Sequence, residues 1–302
     1  MPAPPPFHYD HSGLTIASAF ELPEWQCFAG LPIGAPDVAI SVGAMAGGAA
    51  RPDGEVERVS NSLEFAIDGI ARWRISEGRI IKVQPFPDAD WRGVRLFTLG
   101  SAWAALGYQR GFAVWHGSVV ARGGRALLLC GAPGEGKSTL AAALAESGWV
   151  LVADDLSRVE AGAGGARVYP SSDGVRLWRE AIAHLGWQNR AIARDWLRED
   201  KYRCAVPRTA AGGSPVPLAA VVVLETGRDL MLERLSGSDA LAAAFRGTLY
   251  RPGMLDALQA WGQQANLAAQ IVRDTPVFRL TRPRDLMTIA ESRDAVAQLV
   301  TP

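Results

Sequence analysis

Residues Gly131 to Ser138 read GAPGEGKS and fill the pattern G-x-x-x-x-G-K-[ST]. An apolar run, Ala126 to Cys130, precedes them, and an alanine-rich stretch of helical character begins at Lys137. Strand, glycine-rich loop, Lys-Ser and helix in that order imply a binder of nucleotide phosphate. The glycines let successive backbone N–H groups turn inward around the β- and γ-phosphates, and the N-terminus of the new helix adds its partial positive charge. Gly131, Ala132, Pro133, Gly134, Glu135, Gly136, Lys137, Ser138 and Thr139 are therefore the expected nucleotide-binding residues. Lys137, expected at an exposed helix start, would neutralise phosphate oxygens, and the Ser138 hydroxyl would take one position on Mg²⁺. The plainer alternative is a glycine-rich strand-to-helix turn without a ligand.

The helix Lys137 to Ser147 puts Leu140 and Leu144 on one face and ends at Gly148, a suitable residue to follow a helix. The apolar run Trp149 to Ala153 then completes a β-α-β unit. Asp154 and Asp155 follow at once, so two carboxylates are expected at the C-terminal edge of a parallel sheet, beside the phosphate loop, where such sheets bind ligands. One carboxylate can hold Mg²⁺, directly or through water, and the other can accept a proton from an attacking hydroxyl. Otherwise the pair merely ends a strand and caps a turn.

Upstream, Val114 to Cys130 holds two apolar runs around Arg122-Gly-Gly124, which reads as a hairpin whose return strand feeds the phosphate loop. That reading puts His116 on a strand next to the nucleotide strand. A lone histidine in an apolar strand is more often structural than reactive.

His116-Gly117, then GAPGEGKST, then a helix and Val152-Ala-Asp-Asp155 together resemble the catalytic domain of the HPr serine kinase/phosphorylase family, over Trp115 to Asp155. The resemblance implies an α/β fold, a P-loop kinase core of HPr-kinase type, with ATP and Mg²⁺ as cofactors. It also implies roles: His116 near the transferred phosphate, Lys137 and Ser138 on phosphate and metal, Asp155 as proton acceptor from a substrate serine, and Asp154 as the neighbouring, metal-side carboxylate. The family's glutamate-containing E-I-R-G segment has no counterpart after Asp155. In its place Val168 to Gly186 resembles the P-S-x-x-x-[LV]-[KR]-L-W segment of divergent HPr-kinase-like proteins, which include serine kinases acting on ribosomal peptides such as lasso-peptide precursors. Asp173 or Glu180 is a candidate replacement for the missing metal ligand. Lys201 and Arg203, in the charged run Asp195 to Arg203, are candidates to reach phosphate oxygens, with Arg251 and Arg273 behind them.

Composition agrees with a two-part cytoplasmic protein. With 302 residues and 48% hydrophobic content the chain can bury one sizeable core and a smaller one. Balanced charge, 31 basic against 31 acidic residues, argues against bulk attraction to nucleic acid or a membrane surface. Cys27, Cys130 and Cys204 are far apart and read as reduced, buried thiols. The opening Met-Pro-Ala-Pro-Pro-Pro reads as a short disordered leader rather than a signal peptide. His8 and His11 lack further ligands around them, and the ten scattered tryptophans read as core or interface residues.

Short runs broken by Gly, Pro and Asp (Leu14 to Phe20, Val38 to Val42, Leu63 to Ile67, Ala71 to Ile75, Arg79 to Val83) suggest a smaller β-rich N-terminal domain over 1–93, with the catalytic domain over 94–302. A helix over Val94 to Gly107 connects the two. Beyond the aspartates, Leu156 to Glu160 and Ala166 to Tyr169 form a hairpin, and Pro217 to Glu225 is apolar enough to be central in the sheet. Helices over Ser236 to Leu249, Met254 to Ile271 and Asp285 to Leu299 and a strand over Pro276 to Leu280 complete the reading. The function this predicts is ATP-dependent phosphorylation of a serine on a peptide or protein. The alternatives are an orthodox kinase/phosphorylase acting on the phosphocarrier, a small-molecule kinase, and a nucleotide-dependent switch, for which no N-K-x-D motif is present. A homo-oligomer is left open.

Overall fold

The computed structural model describes residues 7–31, 34–45 and 54–300. The leader expected over the first six residues lies outside them. The chain is mixed α/β and divides into two compact units. The first comprises Met1–Phe112 with Arg251–Gln264, and the second Ala113–Tyr250 with Ala265–Pro302. The expected boundary at residue 93 therefore falls inside the first unit, because the helix expected to open the catalytic domain packs on the N-terminal sheet instead.

That sheet has seven strands: β1 (Phe7–His11), β2 (Leu14–Ser18), β3 (Val38–Val42), β4 (Val56–Val59), β5 (Ser62–Ile67), β6 (Ala71–Ser76) and β7 (Ile80–Pro85). Their order is β1-β2-β3-β7-β6-β5-β4, with β3 parallel to both neighbours. One face is dry: Ala71, Trp73 and Ile75 alternate inward along β6. Trp73 stacks on Phe65 and donates from Nε1 to Thr98 Oγ1 at 2.9 Å. Thr98 in turn donates to Val94 O at 2.7 Å, and the helix loosens there into a π turn, Thr98–Ala102, between α1 (Trp91–Phe97) and α2 (Trp103–Gln109). Sequence periodicity could find the helix but not this interruption. His11 is buried, stacked on Trp25 with centroids 3.9 Å apart, so it serves the core. Cys27 is exposed, against expectation; Cys130 and Cys204 are buried, and burial pushes the Cys130 thiol up to about 12.

The second unit is built on a nine-stranded sheet. Its strands are β8 (Ala113–His116), β9 (Ser118–Arg122), β10 (Arg125–Cys130), β11 (Val150–Ala153), β12 (Leu156–Glu160), β13 (Arg167–Val168), β17 (Val216–Thr226), β18 (Met231–Leu235) and β19 (Val277–Arg282). A separate three-stranded sheet holds β14 (Gly174–Trp178), β15 (Ala191–Arg194) and β16 (Lys201–Ala205). The remaining helices of the chain are α3 (Lys137–Glu146), α4 (Arg179–Leu185), α5 (Gly237–Thr248), α6 (Pro252–Leu258, in the first unit), α7 (Trp261–Asp274, in the second unit from Ala265) and α8 (Ile289–Ala297). The expected helix Met254 to Ile271 is two helices, because Gln259 turns left-handed at φ 53° and ends the first.

β17 is central, as its apolar run predicts. It lies parallel to β10 on one edge and shares the other between β13 and β19. Alternate residues feed opposite cores. Leu127, Leu129, Val222 and Leu224 pack with Leu140, Leu144 and Trp149 on one face, while Leu128, Cys130, Val221 and Val223 pack with Ala243, Ala244 and Ile271 on the other. Truncating a fully buried leucine such as Leu140 to alanine costs about 2–5 kcal/mol.

Two expectations about this sheet are corrected. It is mixed: β9 inserts antiparallel between β10 and β11, so the two strands flanking α3 are not neighbours. The Gly123-Gly124 turn, with both φ positive, is what folds β9 back on β10. His116, against expectation, also does not lie on a strand beside β10. The chain breaks at Gly117, where a Cβ would come within 2.7 Å of Leu129 O, and β8 diverts to pair with β12, placing His116 opposite Leu156.

Candidate functional site

β10 ends at Cys130 and the chain turns through Gly131 at φ 137°, a position where a Cβ would sit 2.6 Å from Leu224 O on β17. Gly131 N–H donates to Gly247 O at 3.0 Å, which fixes the start of the loop to the end of α5. Ala132, Pro133 and Gly134 form an exposed crest. Glu135 is held on both sides, its carbonyl by Arg282 Nη2 at 2.8 Å and its carboxylate by the Thr226 hydroxyl at 2.9 Å. Gly136, left-handed at φ 76°, starts α3 without a side-chain cap, so the first-turn N–H groups carry no competing side-chain acceptor.

Lys137 is buried, at 8% exposure, rather than at an open helix start. Its Nζ donates to Gly131 O at 2.8 Å and Ala132 O at 3.1 Å, back across the loop it follows. Burial lowers its pKa, against the opposing pull of Cys130, Asp155 and Asp154. Ser138 and Thr139 follow on the same turn, and the Ser138 hydroxyl donates to Asp154 Oδ1 at 2.9 Å.

The two aspartates at the end of β11 have different surroundings. Asp154 Oδ1 also accepts from Ser118 Oγ at 2.6 Å, and its Oδ2 accepts from Arg176 N–H at 3.1 Å. Burial raises its pKa despite these donors. Asp155 sits in the left-handed region at φ 73°, which points it away from Ser138 toward β8 and β14. Its Oδ2 pairs with Arg176 Nη1 at 3.1 Å, and its Oδ1 lies 3.4 Å from His116 Nδ1, an ion-pair distance rather than a well-formed hydrogen bond. Burial alone would push the Asp155 carboxyl up, but His116, Arg176 and Lys201 together hold it well below the usual carboxylate range. About a third of its side chain, 34%, stays open. His116 is stacked beneath Tyr250 with centroids 5.7 Å apart.

The geometry therefore brings together the loop, Lys137, Ser138, Asp154, Asp155 and His116. Lys201 is coupled to the same group: burial lowers its pKa against the opposing pull of both aspartates, and its charge helps lower that of Asp155. Asp173 and Arg203 bond to each other, Glu180 is exposed in the first turn of α4, and Arg273 pairs with Asp274 on the surface. Arg251 belongs to the first unit. Ser118, Arg176 and Tyr250 were not singled out by sequence. Arg176 had a signal, its place in the segment before Trp178, but nothing local told that β14 would lay it on the aspartates.

Several features fit a nucleotide with Mg²⁺: the uncapped helix start, glycines where a Cβ would collide, and a hydroxyl and a carboxylate already joined. Among the described residues no three His, Cys, Asp or Glu side chains gather to hold a metal by themselves. That donor set suits Mg²⁺, which is commonly held by one or two protein oxygens together with substrate phosphates. No helix among the described residues is long and apolar enough to cross a membrane.

No family model matches the chain, and no curated protein matches its sequence. Among solved structures it is similar to the Hpr(Ser) kinase/phosphatase from Coxiella burnetii, at 12% identity over 62% of this chain and 97% of that one, with a TM-score of 0.31.

Proposed function

We propose that this chain is an ATP-dependent serine kinase acting on a peptide or protein, with Mg²⁺ as its metal. The observation that carries this reading is the difference in surroundings between two adjacent carboxylates. Asp154 is bonded to Ser138, and Asp155 is turned aside and partly open between His116 and Arg176. Bound ATP·Mg²⁺ would supply the transferable phosphoryl group and ADP as leaving group. Gly131 to Thr139 would hold the phosphates, with Lys137 shifting its charge from the loop carbonyls to phosphate oxygens. Ser138 and Asp154 would hold the metal.

Asp155 takes the proton of the acceptor hydroxyl as the new O–P bond forms, and the serine leaves as phosphoserine. A carboxylate held well below the usual range is a weak base. Phosphoryl transfer through a loose transition state asks little basicity of it, because the proton moves late. Arg176 and His116 keep that carboxylate ionised and aimed.

An extended peptide is the favoured acceptor, such as a ribosomal precursor of lasso type. The sequence resemblance of Pro170 to Trp178 supports this, and a flexible serine needs only a groove that reaches Asp155. Labelled ATP is incubated with a panel of serine peptides and with the purified phosphocarrier protein, and the label is located by mass spectrometry. Label on peptide serine is the expected result. Efficient labelling of the carrier with all peptides inert would move the protein to the orthodox kinase, and nucleotide hydrolysis without any transfer would make it a switch.

A further inference from the structure

Beside the phosphate loop, the end of β19 carries two arginines that the motif does not include. Arg282 is 8% exposed, and its Nη2 donates to Glu135 O. The same nitrogen lies 2.5 Å from where a Cβ on Gly136 would be, so the approach depends on that glycine. Among the described residues Arg282 makes no ion pair, although the charge of Glu135 acts on it, and its buried Nε has no hydrogen-bond partner. A buried guanidinium whose neighbours leave donors unmet is costly unless something else gains from its field.

Arg284 follows across Pro283. Its Nη2 is 3.4 Å from the Cβ position of Gly134, on the exposed crest of the loop. Asp285, the nearest carboxylate in sequence, is committed to the N–H of Met287 at 2.9 Å. Among the described residues Arg284 makes no ion pair. An exposed guanidinium that lies beside a phosphate-type loop has the fork geometry and charge to take an anion's oxygens. The backbone on which it stands is fixed by β19, which pairs with β17 from Val277 through Arg282, and by the short capped turn at Leu286–Thr288.

We propose that Arg284 is a phosphate-binding residue of the nucleotide site, a second cation on the loop beside Lys137, with Arg282 as the residue that positions the loop edge it works from. This rests on the loop binding a nucleotide. The ligand chemistry is a polyphosphate chain, and the base is not part of the contact.

The test uses the full-length protein and equilibrium titrations with ATP, inorganic tripolyphosphate and adenosine, for wild type, Arg284→Ala and Arg284→Lys. Arg284 is exposed, so its removal leaves the fold unchanged, which circular dichroism verifies. Arg284→Ala should weaken both ATP and tripolyphosphate by roughly tenfold, about 1.4 kcal/mol, and Arg284→Lys by less. Unchanged ATP affinity in Arg284→Ala would overturn the proposal, as would a loss confined to ATP and adenosine while tripolyphosphate binds as before. Failure of the wild type to bind any of the three would count against the nucleotide reading itself, which keeps the two failures apart.

Discussion

The Ser138 hydroxyl donates to Asp154 Oδ1 at 2.9 Å, so the first turn of α3 and the tip of β11 are joined through the two groups assigned to the metal. Asp154 also accepts from Ser118 and from the backbone of Arg176. Asp154 is therefore oriented by α3, β9 and β14 together. Pre-oriented groups of this kind pay their ordering cost in folding rather than in turnover.

Replacing Lys137 by methionine keeps the buried stem and removes the charge. Phosphoryl transfer should fall by at least about 10²-fold, with thermal stability changed modestly, because the two bonds to loop carbonyls are also lost. Turnover comparable to wild type in the folded variant would remove the basis for kinase chemistry at this loop.

The aspartates separate by substitution. Asp155→Asn should lower the transfer rate by roughly 10²-fold or more while ATP affinity is retained. Asp154→Asn should instead raise the Mg²⁺ concentration needed for half-maximal rate. The opposite pattern, measured by Mg²⁺ titration of initial rates, would exchange the two roles.

Arg176→Gln keeps the backbone N–H that Asp154 uses and deletes the guanidinium on Asp155. A drop in kcat of roughly tenfold is expected, with KM for ATP nearly unchanged, since the lost group orients the proton acceptor rather than the nucleotide. A rise in KM for ATP with kcat preserved would place Arg176 on the nucleotide.

Because no E-I-R-G segment follows Asp155, phosphorolysis should be inefficient. Phosphoserine product, inorganic phosphate and Mg²⁺ are mixed with enzyme and pyrophosphate is followed. Rapid pyrophosphate release would mean that another residue does the work of the missing glutamate.

In the first unit Asp37 accepts from Thr15 N–H and Thr15 Oγ1, both at 2.9 Å. The Thr15 backbone bond leads the effects that hold its carboxyl below the usual range, and it outweighs burial. A depressed native pKa means that stability from this group is complete above the unfolded pKa, about 3.9, and is lost as pH falls through the lower native value. Asp37→Asn should therefore lower the urea midpoint at pH 6, and the gap to wild type should narrow as pH drops below about 4. A gap that is constant or widens with acid would show that the charge does not matter there.

The glycine-rich loop, α3, the aspartate pair and the central β17 were legible because each is local: a glycine pattern, a short period or a run of apolar residues. What was not legible is non-local. The diversion of β8 to β12 comes at Gly117, where a Cβ would crowd Leu129 O, a closeness between strands that no spacing rule encodes. The three-stranded sheet was hidden because β15 is exposed throughout and β16 sets two basic residues beside a single buried one, Cys204, so neither shows an apolar alternation. Arg176 reaches the site only because that sheet exists.

The left-handed backbone at Asp155 narrows what this position can become. Among side chains with a Cβ, aspartate and asparagine tolerate that conformation best, and glycine adopts it freely. The chain thus admits a very short alphabet at the residue proposed to take the acceptor's proton. Asn and Gly variants will report on chemistry, whereas a β-branched or bulky replacement will report on a backbone forced to move. Deep mutational data at this position would consequently mix two causes of failure, and the asparagine-to-glycine comparison is the pair that separates them.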